Sequence, residues 1–178
     1  GHKFTVTDKF NFASEQKIKI KMWSPRVGLK LNLKIEDEVP WPGVSATSTV
    51  TGTSTVANEW EEIEFDFSGD SKLTADDWYN LVFIIDEGTQ GDGTSNFTIY
   101  VDDITQVSSS TSSVISDFEV DGSISGFDGG AQEVIDNPDT SGNSSDKVLK
   151  LVKNSGAAWA GHKFTVTDKF NFASEQKI

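Results

Sequence analysis

Along residues 17–23 charged and apolar side chains alternate without a break. Lys17, Lys19 and Lys21 fall on one phase, Ile18, Ile20 and Met22 on the other. A period of two puts successive side chains on opposite faces of a strand, so this stretch predicts a half-buried β-strand, ended by Ser24-Pro25. Gly28 to Asp37 repeats the pattern, with Leu29, Leu31, Leu33 and Ile35 inward and Lys30, Asn32, Lys34 and Glu36 outward. Trp60 to Phe67 repeats it again, with Ile63, Phe65 and Phe67 inward against Glu62, Glu64 and Asp66. Residues 45–55, rich in Thr, Ser and Val, predict an exposed strand. Tyr79 to Asp86 is apolar on both phases and predicts a central strand. Strands are also expected over 96–104, 148–152 and 158–166. Pro40-Trp41-Pro42-Gly43 and Gly88 to Ser95 read as loops, and Thr74 to Trp78 as a short helical turn with Thr74 as its N-cap. The Gly-, Asp- and Asn-rich stretch after Glu119 is expected to be irregular as far as Asp146. No long helix is predicted. Many short strands between turn signals predict an all-β fold, an antiparallel β-sandwich.

One stretch occurs twice. Residues 1–18, GHKFTVTDKFNFASEQKI, return letter for letter as residues 161–178. The chain therefore carries a period of 160 residues. Two readings follow. It is a window on a longer protein of near-identical tandem modules, cut out of phase with the module boundary, or it is an engineered circular permutant with a duplicated segment. Ser108 to Ser113 is a Ser/Thr run with linker composition, and is taken as the true boundary. On that division 1–107 is the C-terminal part of a module, 108–113 the linker, and 114–178 the N-terminal part of the same or the next module. The sandwich is then circularly permuted, or cut out of phase, relative to the natural order. Only one copy of the repeat can fill its place in one module. The surplus copy suggests head-to-tail strand exchange between neighbouring copies, a geometry that need not close.

Composition narrows the partners. The formal net charge is −13, with 28 acidic residues against 15 basic. Phosphate backbones call for a basic footprint, so nucleic acid is not expected as a partner. Acidity is compatible with calcium, which takes carboxylate and carbonyl oxygens. There is no cysteine, hence no disulfide framework and no thiol nucleophile. No signal peptide and no apolar run of membrane length is seen, so membrane insertion is not expected.

In the rotated order, certain short motifs fall in sequence. Asp117-Phe118-Glu119 opens the module and Ala158-Trp159-Ala160-Gly161 follows. Met22-Trp23-Ser24-Pro25 precedes a Leu/Lys strand, Trp60 opens a strand ending Phe65-Asp66-Phe67, and Tyr100-Val101-Asp102-Asp103-Ile104 closes it. In this the chain resembles the carbohydrate-binding-module-like jelly rolls of the galactose-binding-like type. Similar modules occur in large secreted surface proteins and polysaccharide-degrading enzymes of marine Bacteroidetes. The resemblance implies a secreted or cell-surface location and a structural calcium bridging the first and last strands. Glu119 and Asp103 match its acidic positions, with Asp117 and Asp102 as neighbours. Backbone carbonyls from 121–128 or 136–146 would complete the six to eight oxygens that calcium takes. Asp136-Asn137-Pro138-Asp139 is not an EF-hand, because proline stands where that pattern needs an acid or amide.

A polysaccharide site would need aromatic platforms. Trp41 lies between two prolines, Trp23 and Trp60 are on the outward phase of their strands, and Trp159 sits beside an element end. Against such a site, Lys17, Lys19 and Lys21, with Lys30 and Lys34 of the next strand, would face Glu62, Glu64 and Asp66 if these strands share a sheet. That makes a solvated, charge-laced surface. A conventional catalytic cluster is not evident: His2 and His162 are the only histidines, and there is no G-x-S-x-G elbow. The sequence therefore reads as a noncatalytic repeat module of a secreted bacterial surface or filament protein, acting in adhesion or assembly. The alternative is a carbohydrate-binding module of a polysaccharide-degrading enzyme or adhesin.

Overall fold

A computed structural model describes residues 16–37, 47–70, 78–107, 112–119 and 124–165. These residues form eleven strands. They are β1 (Lys17–Ser24), β2 (Lys30–Asp37), β3 (Thr47–Thr53), β4 (Glu59–Asp66), β5 (Trp78–Ile85), β6 (Thr98–Val107), β7 (Ser112–Ser116), β8 (Ile124–Phe127), β9 (Gly130–Asp136), β10 (Lys147–Lys153) and β11 (Gly161–Thr165). Sheet A runs β4-β1-β6-β10-β9, with β7 also on β6, and sheet B runs β3-β2-β5-β11-β8. Every pairing is antiparallel. The all-β antiparallel sandwich expected from the alternation is the fold.

The inward phases meet between the sheets. Ile18, Ile20 and Met22 of β1, Leu31 and Leu33 of β2, Phe65 of β4 and Phe83 of β5 are all fully buried in one core. Burying such a side chain is worth about 1.5–3 kcal/mol, which is why the alternating strands hold their register. On the outer face of sheet A the lysine row meets the acidic row. Lys17 lies 2.5 Å from Glu64 and 3.3 Å from Asp66, and Lys19 lies 2.7 Å from Glu62. Lys30 and Lys34 belong to β2 in the other sheet.

The stretch expected to be irregular contains β8 and β9. Between them Asp128 and Gly129 take φ of 53° and 115°, left-handed values that glycine adopts without strain and aspartate tolerates. Two residues thus carry the chain from one sheet to the other, and the glycine-rich composition marks a corner. The strand expected to begin at Ala158 begins at Gly161. Residues 157–160 form a turn, with the Ala160 N–H donating to the Ala157 carbonyl. Ser112 and Ser113, assigned to the linker by composition, stand in β7, and Val107 pairs with Ser112. Of the helical turn expected over Thr74 to Trp78, residues 74–77 lie outside the described residues, as does the loop with Trp41, and Trp78 opens β5.

The two copies of the repeat contribute to one sandwich. β11 comes from the second copy, whereas β1 starts at the end of the first. Lys17, Asp66, Val107 and Ser112 form one row across sheet A, and Thr165, Asn80 and Glu36 one row across sheet B. β1 and β2 are joined at their far ends by residues 25–29 alone. The start of β1 and the end of β11 therefore lie at the same pole.

Candidate functional site

The four acidic residues singled out in the sequence gather at one junction. β6 pairs with β10 through Thr98–Val101 and then with β7 through Ile104–Val107. Asp102 and Asp103 sit at the handover. Asp103 has φ 44° and the register shifts beside it, between Ile104 and Thr105. Just past β7, Glu119 reaches the start of β10, where its Oε1 accepts the N–H groups of Asp146 (2.9 Å) and Lys147 (3.3 Å). Asp117 accepts the N–H of Glu119 at 3.3 Å. β7, at the end of the expected linker, thus lies against β6, which precedes that linker.

Asp102 is fully buried. Its Oδ1 accepts the N–H of Asp103 at 2.8 Å, and its Oδ2 accepts the Asn143 amide at 2.6 Å. Burial pushes its carboxyl above the usual aspartate range, against donors at Asn143, Ser145 and Asp103 that pull it down. Lys21 lies 2.7 Å from Asp103 and 3.5 Å from the Asn143 side-chain oxygen. Calcium would need oxygens converging on one point. Here the oxygens of Asp102 and the Oε1 of Glu119 face N–H and O–H donors, and Asp103 faces an ammonium. Among the described residues no three His, Cys, Asp or Glu side chains form a metal-sized group. Among the described residues, the Asp102 oxygens and Glu119 Oε1 are thus taken up by protein donors.

The cover over this junction is the β9–β10 connection, residues 137–146. It is tied to itself: the Asn137 amide donates to the carbonyls of Asn143 (2.9 Å) and Ser145 (3.0 Å), and Asp139 accepts from the backbone and hydroxyl of Ser141. Those Ser141 donors hold the Asp139 carboxyl below its ordinary value. The connection lies across the outer face of sheet A. Its Asn143 meets the fully buried Asp102, and it reaches β4, where the Trp60 indole N–H donates to the Asp139 carbonyl at 2.7 Å.

Beside this cover runs an aromatic row. Trp60 of β4 stands opposite Trp23 of β1, and Trp23 stands opposite Tyr100 of β6. The Trp23 and Tyr100 rings are 5.2 Å apart at 56°. The row continues through Lys150 of β10 to Glu133 of β9. All three aromatics are half-buried and on the outward phase. The charged surface expected from the lysine and acid rows is therefore only one end of this face. Its other end is aromatic, walled by residues 137–146. Trp159 is apart from the row: it is 59% exposed and its N–H donates to Asp128 at 2.9 Å. Trp41 lies outside the described residues.

Tyr100 was quoted in the closing motif but not as a binding residue, and Asn143 was not singled out. Tyr100's outward face was findable, since Ile99 and Val101 point inward. Asn143 gives no such signal, because it is a loop amide buried by tertiary packing alone. Comparison of the chain with protein-family models, with curated proteins and with solved structures finds no match.

Proposed function

We propose that this chain is a noncatalytic β-sandwich module of a repetitive, secreted bacterial surface protein, with neighbouring copies of itself as its partners. The observation that carries the reading is the use of the repeat. One period of sequence supplies one closed sandwich, with β11 drawn from the second copy and β1 starting in the first. A period that matches one folding unit is what a tandem array needs. The test is multi-angle light scattering over a concentration series without sugar. Mass that grows with concentration supports assembly as the module's work. A monomer throughout, together with glycan-array binding, would replace it.

The aromatic row favours a second reading, carbohydrate binding on the outer face of sheet A. Sugar rings stack on aromatic faces, and the half-buried Trp60, Trp23 and Tyr100 stand in register on this face. Trp23→Ala and Tyr100→Ala would then each abolish a glycan-array signal that Trp159→Ala leaves intact. Calcium enters the proposal conditionally. To receive it at Asp102, the Asn143 amide must turn its oxygen inward and Lys21 must withdraw. A rise in Tm with calcium that disappears in Asp102→Asn would place the ion there.

A further inference from the structure

β11 is not an edge strand. It lies between β5 and β8, antiparallel to both. Its side chains are fitted to the slot. Phe164 is fully buried and meets Phe118 edge-on at 6.4 Å. His162 is fully buried, with Nε2 donating to the Ala131 carbonyl at 2.9 Å. Lys163 lies 3.0 Å from Glu36. At Gly161 a Cβ would come within 2.6 Å of the Phe83 carbonyl oxygen, so only glycine fits. The slot therefore fits Gly-His-Lys-Phe at 161–164. The sequence of β11, Gly-His-Lys-Phe-Thr, is present twice, at 161–165 and at 1–5.

Chain geometry permits either copy. Residues 6–15 separate the first copy's Thr5 from the Gln16 that precedes β1. Ten residues span up to about 33 Å, and packed sheets lie about 10 Å apart. Since the end of β11 and the start of β1 share a pole, that connection needs only to cross from one sheet to the other. The two closures contain the same strands. They differ in their joints, and loop length alone changes closure free energy slowly. The second copy has one advantage: residues 154–160, which lead into it, are themselves anchored. Lys153 donates to the Ala158 carbonyl at 2.8 Å, and the Gly88 N–H donates to the same carbonyl at 3.1 Å.

We propose that the β11 slot is interchangeable: residues 1–5 are a second occupant of it, and a copy left unseated in one molecule fills the slot of a second molecule of this chain. This rests on the repeat-module reading. It turns the repeated stretch into a head-to-tail linkage between copies of this chain.

The experiment uses Phe4→Asp, Phe164→Asp and the double variant in the full chain. A buried aspartate in place of the core phenylalanine bars that copy from the slot. Thermal unfolding of Phe4→Asp should match the parent. Phe164→Asp should keep a cooperative transition at lower Tm, because residues 1–5 take the place. The double variant should lose the transition. Adding a synthetic peptide of residues 1–18 should restore it, in proportion to peptide, while a peptide carrying Phe4→Asp should not. Loss of the transition in Phe164→Asp alone would overturn interchange. Folded single variants with no rescue by the peptide would overturn exchange between molecules. Either failure leaves the module reading standing, because modules that each close with their own strand need no exchange.

Discussion

Lys153 is the side chain whose removal should be felt most widely. It ends β10 and is fully buried. Its Nζ donates to the carbonyls of Ile85 (2.6 Å), Asp86 (3.1 Å) and Ala158 (2.8 Å). One ammonium thus ties the end of β5 to the connection that delivers β11. Lys153→Met keeps the apolar stem and deletes the donors. Hydrogen bonds to a charged group contribute about 1.5–3 kcal/mol each, and an unpaired buried carbonyl costs about 1–3 kcal/mol. Against this stands the relief of no longer burying an ammonium, whose desolvation already holds its pKa below the lysine range. The net expectation is a loss of about 3 kcal/mol. Urea unfolding reads it as a lower midpoint at unchanged m-value. Amide exchange should quicken in β11 more than in β1, because the loosened joint feeds β11. A loss under about 1 kcal/mol, or uniform exchange, would refute the clamp.

Two titrations run in opposite directions. His162 is held neutral by burial, its pKa below the ordinary 6.5. Its contribution is present above that value and is lost as pH falls from it towards the folded pKa, at up to about 1.4 kcal/mol per pH unit. His162→Gln should flatten this acid loss of Tm. The Asp102 carboxyl is raised by burial. Its contribution is complete below the unfolded aspartate pKa, near 3.9, and is lost as pH rises through the folded value. Asp102→Asn should therefore be less stabilised by acid than the parent. Tyr100→Ala should lower Tm modestly, since the ring is half-buried and tilted against Trp23, a contact worth about 0.5–1.5 kcal/mol beyond the area it buries.

The strands most legible in the sequence were those with one wet face. β1, β2 and β4 alternate because one side meets the core and the other meets water, and their bounds fall within a residue or two of the expected ones. β8 and β9 escaped because they are short, partly exposed along both faces and joined by Asp128-Gly129, so their composition imitates a loop. At the junction, Asp102, Asp103, Asp117 and Glu119 were expected near one another from the family resemblance, and the pairing of β6 with β7 and β10 sets the strands that carry them side by side. What it could not supply was the lid. Asn143, Asp139 and Ser145 act through contacts with residues far away in sequence, and no periodicity encodes a loop laid across a sheet. The aromatic row was half legible. Phase put Trp23 and Trp60 outward, but only the register of β6 against β1 brings Tyr100 alongside.

The shared pole has a consequence for the shape of an array. Lys17, where β1 starts, and Thr165, where β11 ends, stand at the same end of the sandwich. In the proposed array, units joined through that end would hang from their connecting segments like pages from a spine, their long axes across the direction of growth. Each added unit would lengthen the assembly by a sandwich's thickness or width, not by its height. The opposite poles, carrying the 25–29 and 86–94 turns, would line up along the free edge as a repeating surface.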